Sequence, residues 1–536
     1  MGSQYVNLDA LLLREDFEVP VVSPQVPSQL GSTLLLTELE EGKFFFAALR
    51  KPDFQRETSN WSPQHIVDFV KSFVEGDLIP SVILWQSPVS NNLFVIDGAH
   101  RLSALIGWVR DDYGDGNASR HFYENRIQPE QQEAAEQTRQ LIRKQVGSYE
   151  DHKKAIQFPT TTDPHIVKQA KSLGVLALPL QWVRGDAKKA EQSFLRINQK
   201  PTSIDPTELE IIVNRNKPNA IAARAVIRAG SGHKFWNSFE EENSKQTEKL
   251  AKEIHKMFFD PPIRTPIKTI DLPMAGEGYS PAGLRTVYEF VNLVNESRTT
   301  KQVELLANDQ EGTATVGFLK KCRRIAALIS SNEPASLGLH PAVYFYGMTG
   351  GYVPSAFLAT VQFVMRLQSE NRLSDFVRIR KEFEELLVSK KHFINAIVSL
   401  KGSGFRASPW LYALLNCFFE LLMVGDYNEA NLNVKLEEIK LGNLTPTGLG
   451  VRGKGAFSTA AKTATFITEA LESAPRCAEC GARLHLEKAT TVDHSVRKAE
   501  GGSSHSDNAQ LMHPYCNSGI KEKRKSKKTK SSKPDA

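Results

Sequence analysis

The sequence predicts a multidomain α+β protein, on three observations. Its 536 residues are too many for one hydrophobic core. The first 200 residues alternate short strand-like and helix-like segments, a mostly helical stretch follows, and a short C-terminal module gathers cysteines and histidines. We therefore expect domains at 1–210, 211–440 and 473–521, a linker with a short helix at 441–472, and a basic disordered tail at 522–536.

The net charge is concentrated in that tail. The whole chain carries +6. Residues 521–533 hold eight Lys or Arg and one Glu, a local +7, so the remainder sits near −1. Such a tail suits contact with a phosphate backbone. A merely solubilising terminal run is the alternative, and charge alone does not separate the two.

The cysteines indicate a metal site rather than a disulfide framework. Only five occur, of which Cys322 and Cys417 stand alone in apolar helical stretches. The N-terminus lacks the basic flank and apolar run of a signal peptide. The most apolar stretch, 409–424, is too short and too polar to cross a bilayer and predicts a buried helix. We expect a cytoplasmic protein without a membrane partner.

In the N-terminal third, the local signals predict strands and helices in alternation. Ser62-Pro63 begins a helix and Gly76 ends it. Residues 81–85 and 93–97 have strand composition and are separated by a Ser/Asn turn. Helical periodicity resumes over 100–109.

The middle of the chain is predicted to be mainly helical. Polar residues 111–150 indicate an inserted loop or a helical excursion. Helical patterns recur around 357–367, 376–388 and 411–423. Five glycines and a proline in 441–455 mark the best linker candidate.

The C-terminal module carries two halves of a zinc site. Cys477 and Cys480 are spaced to hold one tetrahedral ion from a tight turn, and His513 and Cys516 form a second half after 32 intervening residues. The resulting Cys3His set leaves no open coordination position. The zinc is therefore predicted to be structural rather than catalytic.

Between and after the halves lie Asp493-His494, Gly501-Gly502, Asn508, Asn517 and Lys521. In this order the landmarks resemble the HNH endonuclease family over about 45 residues. One departure is a histidine at the third zinc ligand, where many members carry cysteine. The resemblance implies a ββα-metal fold that hydrolyses double-stranded DNA.

Phosphodiester hydrolysis needs an activated water and a cation that neutralises developing charge. His494 is the natural general base, because its pKa lies near working pH. Asp493 can hold a hard cation, catalytic magnesium or manganese. By resemblance, Asn517 is the second metal ligand, and Asn508 pins the loop so that His494 faces the phosphate.

The alternative is a purely structural zinc knuckle in which His494 is an ordinary polar residue. A bare CxxC favours that alternative, whereas the ordered set favours the nuclease. We expect His485 and His505 to be exposed polar residues without a role.

A second motif lies at a predicted strand-to-helix junction in the N-terminal part. Asp97, Gly98, His100 and Arg101 stand where free N–H groups at a helix start, with the arginine, can bind an anion such as phosphate. Gly98 lets the backbone turn and approach a ligand closely.

Further landmarks accompany this motif: Gln55-Arg56, Trp61, Ile79-Pro80 and the FLRIN segment at 194–198. Together they resemble the ParB/sulfiredoxin-like domain of GmrSD-type restriction proteins and the related DGQHR proteins, over roughly 40–210. The resemblance implies binding and hydrolysis of a nucleoside triphosphate and sensing of modified DNA, with Gln55, Arg56, Asp97, Gly98, His100 and Arg101 as the binding set.

Ala99 replaces the glutamine of the family pattern, which removes one amide from the proposed site. Nucleotide hydrolysis is therefore less well supported than anion binding. The alternative is that Asp97, His100 and Arg101 form a structural ion-pair cluster at a helix start.

The leading hypothesis is a restriction or antiviral defence endonuclease, in which the N-terminal domain governs a C-terminal cutter acting on phage or modified DNA. A nucleotide-switched DNA-binding protein whose zinc knuckle binds without cutting is the second hypothesis, and a mainly NTP-hydrolysing enzyme is the third. The recognised modification, the nucleotide and the question of a homo-oligomer stay open.

Overall fold

The structure is a computed structural model of the chain. It describes residues 5–17, 30–55, 57–127, 129–160, 163–197, 206–264, 267–278, 280–402, 405–442, 444, 457 and 459–520. The basic tail and most of the glycine-rich linker lie outside these ranges.

The described N-terminal strands form one mixed sheet of order β1-β3-β5-β4-β6-β2. Its strands are β1 Arg14–Glu15, β2 Thr33–Leu35, β3 Leu49–Pro52, β4 Val82–Gln86, β5 Leu93–Asp97 and β6 Ala177–Trp182. Strands β1, β3 and β5 run parallel, β4 is antiparallel to β5, β6 is parallel to β4, and β2 is antiparallel to β6. The register of β4 against β5 shifts between Ile83 and Leu84, opposite the end of β5. Such a bulge re-aims the side chains beside it.

Helices cover both faces of this sheet. They are α1 Phe44–Ala48, α2 Pro63–Glu75, α3 Ala99–Arg110, α4 Asn117–Phe122, α5 Pro129–Gln145, α6 Tyr149–Gln157, α7 Pro164–Leu173 and α8 Ala187–Ile197. The predicted limits of α2 are confirmed: the Ser62 hydroxyl accepts a hydrogen bond from the His65 N–H, and Gly76 ends the helix in a left-handed conformation. The segment 111–150, for which a loop or helical excursion was expected, is mainly helical.

The two faces of the sheet bury different side chains. One face packs aliphatic residues such as Leu84 and Val95 against α2 and α3, where Leu105 of α3 joins the same cluster. The opposite face carries an aromatic cluster that includes Trp85, Phe94 and Phe194 of α8. This division arises because successive side chains of β4 and β5 point to opposite faces of the sheet. The end of β5 therefore lies at the edge of a well-packed layer.

The middle of the chain is helical, as predicted. Its helices are α9 Pro206–Val213, α10 Pro218–Ile227, α11 Glu241–Phe259, α12 Pro281–Val294, α13 Thr300–Glu304, α14 Thr313–Ile329, α15 Pro341–Tyr344, α16 Pro354–Ser369, α17 Leu373–Ser389, α18 His392–Lys401, α19 Ser408–Met423 and α20 Glu429–Glu438. Helix α19 is the expected buried apolar helix, and it packs against α16 and α17. In the described part of the chain, no helix is long and apolar enough to cross a membrane.

The C-terminal module comprises α21 Thr459–Glu472, the hairpin β7 Thr491–His494 with β8 Ala509–Met512, and a helical turn Cys516–Ile520. Its order of hairpin followed by helical turn matches the expected strand-strand-helix arrangement. Residues 445–456 of the predicted linker lie outside the described residues.

The module shares its hydrophobic core with the helical region. Ile467 and Leu471 of α21, together with Leu484 and Met512, belong to the same buried cluster as α14 to α19. The module is therefore docked on the helices, whereas the sequence suggested only a small unit carried on a linker. Sequence offered no sign of this because the contacts join segments far apart in the chain.

Candidate functional site

The four predicted zinc ligands converge on one point. Ligand atoms of Cys477, Cys480, His513 and Cys516 all lie within 4.8 Å of one another. The Cys480 Sγ and His513 Nδ1 atoms are 3.4 Å apart. Tetrahedral zinc with ordinary Zn–S and Zn–N distances would set this edge at about 3.6 Å. The donor set and its spacing therefore fit zinc, with each coordination position taken by a protein atom.

Backbone hydrogen bonds shape the first half of the cluster. The Cys477 N–H donates to the Ala482 carbonyl at 2.8 Å, and the Gly481 N–H donates back to the Cys477 carbonyl at 2.9 Å. Gly481 adopts a φ of +69°, a left-handed conformation that glycine takes at little cost. This tight turn brings two thiols to the same side.

His513 is held in the tautomer that a metal ligand requires. Its Nε2 lies 3.0 Å from the Arg483 carbonyl, which can only accept, so Nε2 carries the proton and Nδ1 faces the thiols. Burial lowers the pKa of His513, which favours the neutral ring. The His513 backbone N–H also donates to Cys477 Sγ at 3.4 Å. These contacts orient the ring from outside the cluster.

Asp493 and His494 end strand β7. In the hairpin, Asp493 pairs with Gln510 and His494 with Ala509. Both side chains are half-buried. Because side chains alternate along a strand, Asp493 shares a face with Thr491, and His494 points to the other face.

Asn508 clamps the loop between the two strands. Its Oδ1 accepts hydrogen bonds from the Ser495 hydroxyl at 2.7 Å and from the Val496 N–H at 2.6 Å. Its Nδ2 donates to the carbonyls of Val496 at 2.8 Å and Ser503 at 2.7 Å. All four hydrogen-bonding positions of the amide are thus used within the loop that follows His494. Asn508 therefore closes this loop on itself, and its part in directing His494 stays a prediction.

The glycine pair of the motif lies where a side chain would clash. A Cβ on Gly502 would be 1.9 Å from the Val496 carbonyl oxygen, and Gly501 has a φ of +85°. The Gly502 N–H donates to the Arg497 carbonyl at 2.8 Å. The loop can therefore fold back against β7 only with glycine at position 502.

Asn517 lies on the helical turn after the second zinc half. Its Nδ2 is 3.4 Å from Thr491 Oγ1, and its backbone N–H donates to the His513 carbonyl at 3.0 Å. Contact with Thr491 puts the Asn517 amide on the face of β7 that Asp493 also occupies. The structure thus brings a carboxylate and an amide to one side of the hairpin, a donor set that suits a hard divalent cation.

A buried ion pair fastens the zinc cluster to the helices, and sequence reasoning missed it. Arg380 and Glu384 of α17 are fully buried, with Nε and Oε1 2.9 Å apart. The other Glu384 oxygen accepts the Arg483 backbone N–H at 2.9 Å. Arg380 Nη2 donates to the Gly338 carbonyl at 2.9 Å, and a Cβ at Gly338 would lie 2.8 Å from His513. Arg380 and Glu384 are only four residues apart on α17, but Glu384 and Arg483 are 99 residues apart, so no local pattern could reveal this attachment to the module.

The expectation that His485 is exposed was wrong, because its side chain is only 1% exposed. Its Nδ1 accepts the Lys488 backbone N–H at 3.0 Å, and its ring faces His340 with centroids 5.7 Å apart. The Lys488 ammonium donates to the carbonyls that end α11, including that of Lys256 at 2.9 Å. Helix C-terminal carbonyls attract a cation, so this lysine docks the module. His505 is exposed, as expected.

The N-terminal motif also forms a compact group, but its charged side chains, Asp97 and Arg101, pair with each other. Arg101 Nη2 lies 2.6 Å from the Asp97 carboxylate and 3.1 Å from the Ser81 carbonyl. Gly98 has a φ of +94° and precedes α3, and no side chain caps that helix start. Both features expected from the sequence are present: an ion pair and an uncapped helix N-terminus.

The supporting landmarks lie beside the motif. The ring of His100 stacks on Trp61, with centroids 5.7 Å apart and planes 29° apart. Gln55 is buried, and its Nε2 donates to the Ile96 carbonyl at 3.4 Å. Arg56 lies outside the described residues, so its proposed part in the site stays a prediction.

A buried charge cluster, which sequence did not indicate, joins the N-terminal domain to the helical region. Asp9 is fully buried and pairs with Arg14 at 3.0 Å, with Lys51, and with Arg228 at 2.6 Å. Burial opposes its charge, but the three cations together hold the pKa of Asp9 well below its usual value. Arg228 directly follows α10, so this cluster spans the two regions.

Comparison with protein families locates two domains. Residues 35–216 match the family described as the GmrSD restriction endonuclease N-terminal domain. Residues 477–523 match the family described as HNH endonuclease. Neither a curated protein nor a solved structure matches the chain. The two matched segments contain the N-terminal motif and the C-terminal metal cluster, respectively.

Proposed function

Because the chain joins a GmrSD-type N-terminal domain to a C-terminal HNH endonuclease domain, which together support a restriction-type nuclease, we propose that it is a metal-dependent DNA endonuclease of antiviral defence. The observation that carries the proposal is the contact of Asn517 with Thr491, which brings the second candidate ligand to the strand of Asp493 and His494. Double-stranded phage or modified DNA is the proposed substrate. The proposed compartment is the cytoplasm, because three of the five cysteines supply thiols to the metal cluster and such thiols persist where the environment is reducing.

Each residue of the module has a distinct proposed part. His494 removes the proton from the attacking water, since imidazole titrates near neutral pH. Asp493 and Asn517 hold a magnesium or manganese ion on the opposite face of β7. When bound, that ion neutralises charge developing on the phosphate oxygens. Asn508 fixes the loop and thereby the direction of His494.

The zinc cluster has a structural part in this proposal. Its four positions are filled by protein atoms, so no position is left for water or substrate. It ties the turn after Arg476 to the helical turn that carries Asn517. Loss of zinc would therefore separate Asn517 from β7, even though zinc takes no part in the reaction.

We propose that the N-terminal domain is the sensor, with a ParB/sulfiredoxin-like fold. Asp97, Gly98, His100, Arg101, Gln55 and Arg56 are the proposed nucleoside triphosphate site. The uncapped start of α3 supports anion binding. Because Arg101 pairs with Asp97, a phosphate would have to compete with that carboxylate or share the guanidinium. The helical region, 211–440, would pass the state of this domain to the module.

Plasmid cleavage tests the nuclease. With magnesium, the wild-type chain should nick or linearise supercoiled plasmid, and chelation of magnesium should stop it. His494→Ala should slow cleavage by roughly 10²- to 10⁴-fold, the usual contribution of a general base. His505→Ala, an exposed histidine in the same module, is the matched control and should cut like wild type. Wild-type speed in His494→Ala would refute the assigned base.

Comparison of DNA sources tests the sensor. Cleavage of phage DNA and of host DNA is measured with and without each nucleoside triphosphate. The proposal predicts that cutting depends on DNA source or on nucleotide, and that Arg101→Gln weakens this dependence. Equal cleavage of both DNAs under every nucleotide condition would show that the nuclease is not regulated in this way. The proposed sensing role of the N-terminal domain would then be wrong.

A further inference from the structure

Two helices that meet the C-terminal module carry rows of exposed basic side chains. On α11, Lys249, Lys252 and Lys256 are exposed, and their spacing of three and four residues puts them on one side of the helix. On α14, Lys320 and Arg324 are exposed at a spacing of four residues. We call these five side chains the basic face.

Helices α11 and α14 lie side by side and run in the same direction. Close to the start of both helices, the Asn243 amide donates to the Glu311 carbonyl at 2.8 Å, two residues before α14 begins. Further along, Glu253 of α11 and Arg323 of α14 pair at 2.9 Å, with side chains that are 35% and 33% exposed. This ion pair therefore lies at the surface between the two helices.

The basic side chains surround that ion pair. On α11, Lys249 lies four residues before Glu253 and Lys256 lies three residues after it. On α14, Lys320 lies three residues before Arg323. Side chains at these spacings are neighbours on the surface of a helix. The rows on the two helices therefore border the same ion pair and form one continuous surface.

The acidic side chains of these helices have other partners or lie far along the helix. Helix α14 contains no Asp or Glu. On α11, Glu248 pairs with Lys234 at 2.8 Å and Glu253 pairs with Arg323, while the acids at 241–242 stand in the first turn. Among the residues that the structure describes, no carboxylate is at ion-pair distance from a member of the basic face.

This charge is a local feature of the surface. The chain outside residues 521–533 has a net charge near −1. The basic face nevertheless gathers five positive charges on two neighbouring helices. Clustering of one sign on one side of a domain is the electrostatic pattern of surfaces that contact a phosphate backbone.

The basic face ends at the C-terminal module. The Lys256 carbonyl accepts a hydrogen bond from the Lys488 ammonium at 2.9 Å. Three residues after α14, the Asn332 side-chain oxygen accepts the Ala489 backbone N–H at 2.8 Å. Ala489 lies two residues before β7, the strand that carries His494. Both helices of the basic face therefore lead to the hairpin of the proposed nuclease.

We propose that the basic face binds the phosphate backbone of duplex DNA beside the segment on which the module acts. At a rise of 1.5 Å per residue, the three lysines of α11 span roughly 10 Å. A duplex presents about six phosphate charges over that length. Such contacts hold and orient the duplex without reading its sequence. This inference deepens the proposed nuclease function and rests on it for the choice of DNA as the partner.

The salt dependence of DNA binding tests the basic face. The full chain is titrated onto a labelled 30-base-pair duplex without added magnesium, and fluorescence anisotropy gives the affinity at several sodium chloride concentrations. The double variant Lys252→Gln with Lys256→Gln should lower the slope of log affinity against log salt by about 2, and weaken binding at least about tenfold near 0.1 M salt. Replacing both lysines by arginine keeps the charge and should retain the wild-type slope.

The matched control neutralises two exposed lysines elsewhere in the helical region. Lys435→Gln with Lys440→Gln changes α20 and the residue that follows its C-cap, and should keep the wild-type slope and affinity. The proposal is overturned if the α11 double variant keeps the wild-type slope, which is the result expected of a merely solvated surface. It is also overturned if the control loses as much affinity as the α11 variant.

Plasmid cleavage with magnesium separates this proposal from the nuclease proposal. A chain that loses DNA affinity in the α11 variant but cuts no DNA as wild type would refute the nuclease and leave the basic face in place. A chain that cuts DNA and keeps the wild-type slope in the α11 variant would refute the basic face alone.

Discussion

The C-terminal metal site and the N-terminal motif site differ in how their side chains are supported. In the C-terminal module, His513 is held by the Arg483 carbonyl, and Asn508 uses all four of its hydrogen-bonding positions. At the N-terminal motif, Arg101 and Asp97 satisfy each other at a half-exposed edge. The side chains of the C-terminal site are thus held in place by hydrogen bonds to groups around the site. The N-terminal site is one ion pair, and a ligand that competes for Arg101 can separate it.

This difference teaches which sequence motifs determine geometry. Thiols and an imidazole at zinc spacing have one compact arrangement, so their pattern predicts their positions. Asp and Arg four residues apart at a helix start can pair with each other or bind a ligand, and their pattern does not choose. The first motif is therefore a firm guide to a site, while the second needs an experiment.

The largest expected effect follows from loss of zinc. Cys516→Ser removes one ligand, and structural zinc contributes on the order of 10 kcal/mol to folding of small zinc domains. We expect loss of bound zinc, unfolding of the module at lower temperature, and no DNA cleavage. Metal analysis and calorimetry measure these changes. Cys417→Ser, in a buried cysteine of α19 outside the cluster, should retain full zinc content. Full zinc in Cys516→Ser would mean that the ligand set is wrong.

The next effect concerns the attachment of the module to the helices. Glu384→Gln leaves the fully buried Arg380 without its counter-charge, which should cost about 3–5 kcal/mol of unfolding free energy. Glu382→Gln is the matched control on the same helix. Glu382 is exposed, so about 1 kcal/mol or less is expected. Equal effects in denaturant titrations would contradict the buried attachment.

A smaller effect is expected at the loop clamp. Asn508→Ala removes four hydrogen bonds, and the groups left partly buried should cost about 1–3 kcal/mol. Asn508→Asp keeps the two acceptor bonds to Ser495 and Val496 and loses the two donor bonds, so its loss should be intermediate. Plasmid cleavage should fall in the same order. Unchanged cleavage in Asn508→Ala would show that the loop does not position His494.

The smallest effect should come from the N-terminal pair. A double-mutant cycle with Asp97→Asn and Arg101→Gln should give a coupling free energy below about 1 kcal/mol, because water screens a partly exposed pair. The cycle is measured by denaturant unfolding. A coupling above about 2 kcal/mol would show that the N-terminal site is as rigid as the C-terminal one, and the comparison would fail.

Much of the fold could be predicted from local signals. Ser62 and Gly76 set the limits of α2, and β4 and β5 lie within a residue of the expected spans. Sheet order could not be predicted, because β1 and β2 are only two and three residues long. Such short edge strands acquire their structure from pairing rather than from their own composition.

For the candidate site, the sequence predicted the zinc ligands but not the hydrogen bonds and ion pairs that hold them in place. The roles of Asn517 and Asn508 rest on motif order and stay predictions, while the structure shows the contacts that each side chain makes. The partners Glu384 and Arg483 are 99 residues apart, so their contact leaves no local signal in the sequence. His485 was mistaken for a surface residue because the short module is buried only by neighbours from elsewhere in the chain.

The most direct test of the central claim measures DNA binding and cleavage together in one sample of His494→Ala. The account predicts that this variant keeps full zinc content and binds DNA like wild type, while its single-turnover cleavage falls by roughly 10²- to 10⁴-fold. The contradicting result is a wild-type chain that holds zinc and binds DNA but cuts neither phage nor host DNA with magnesium under any nucleotide condition.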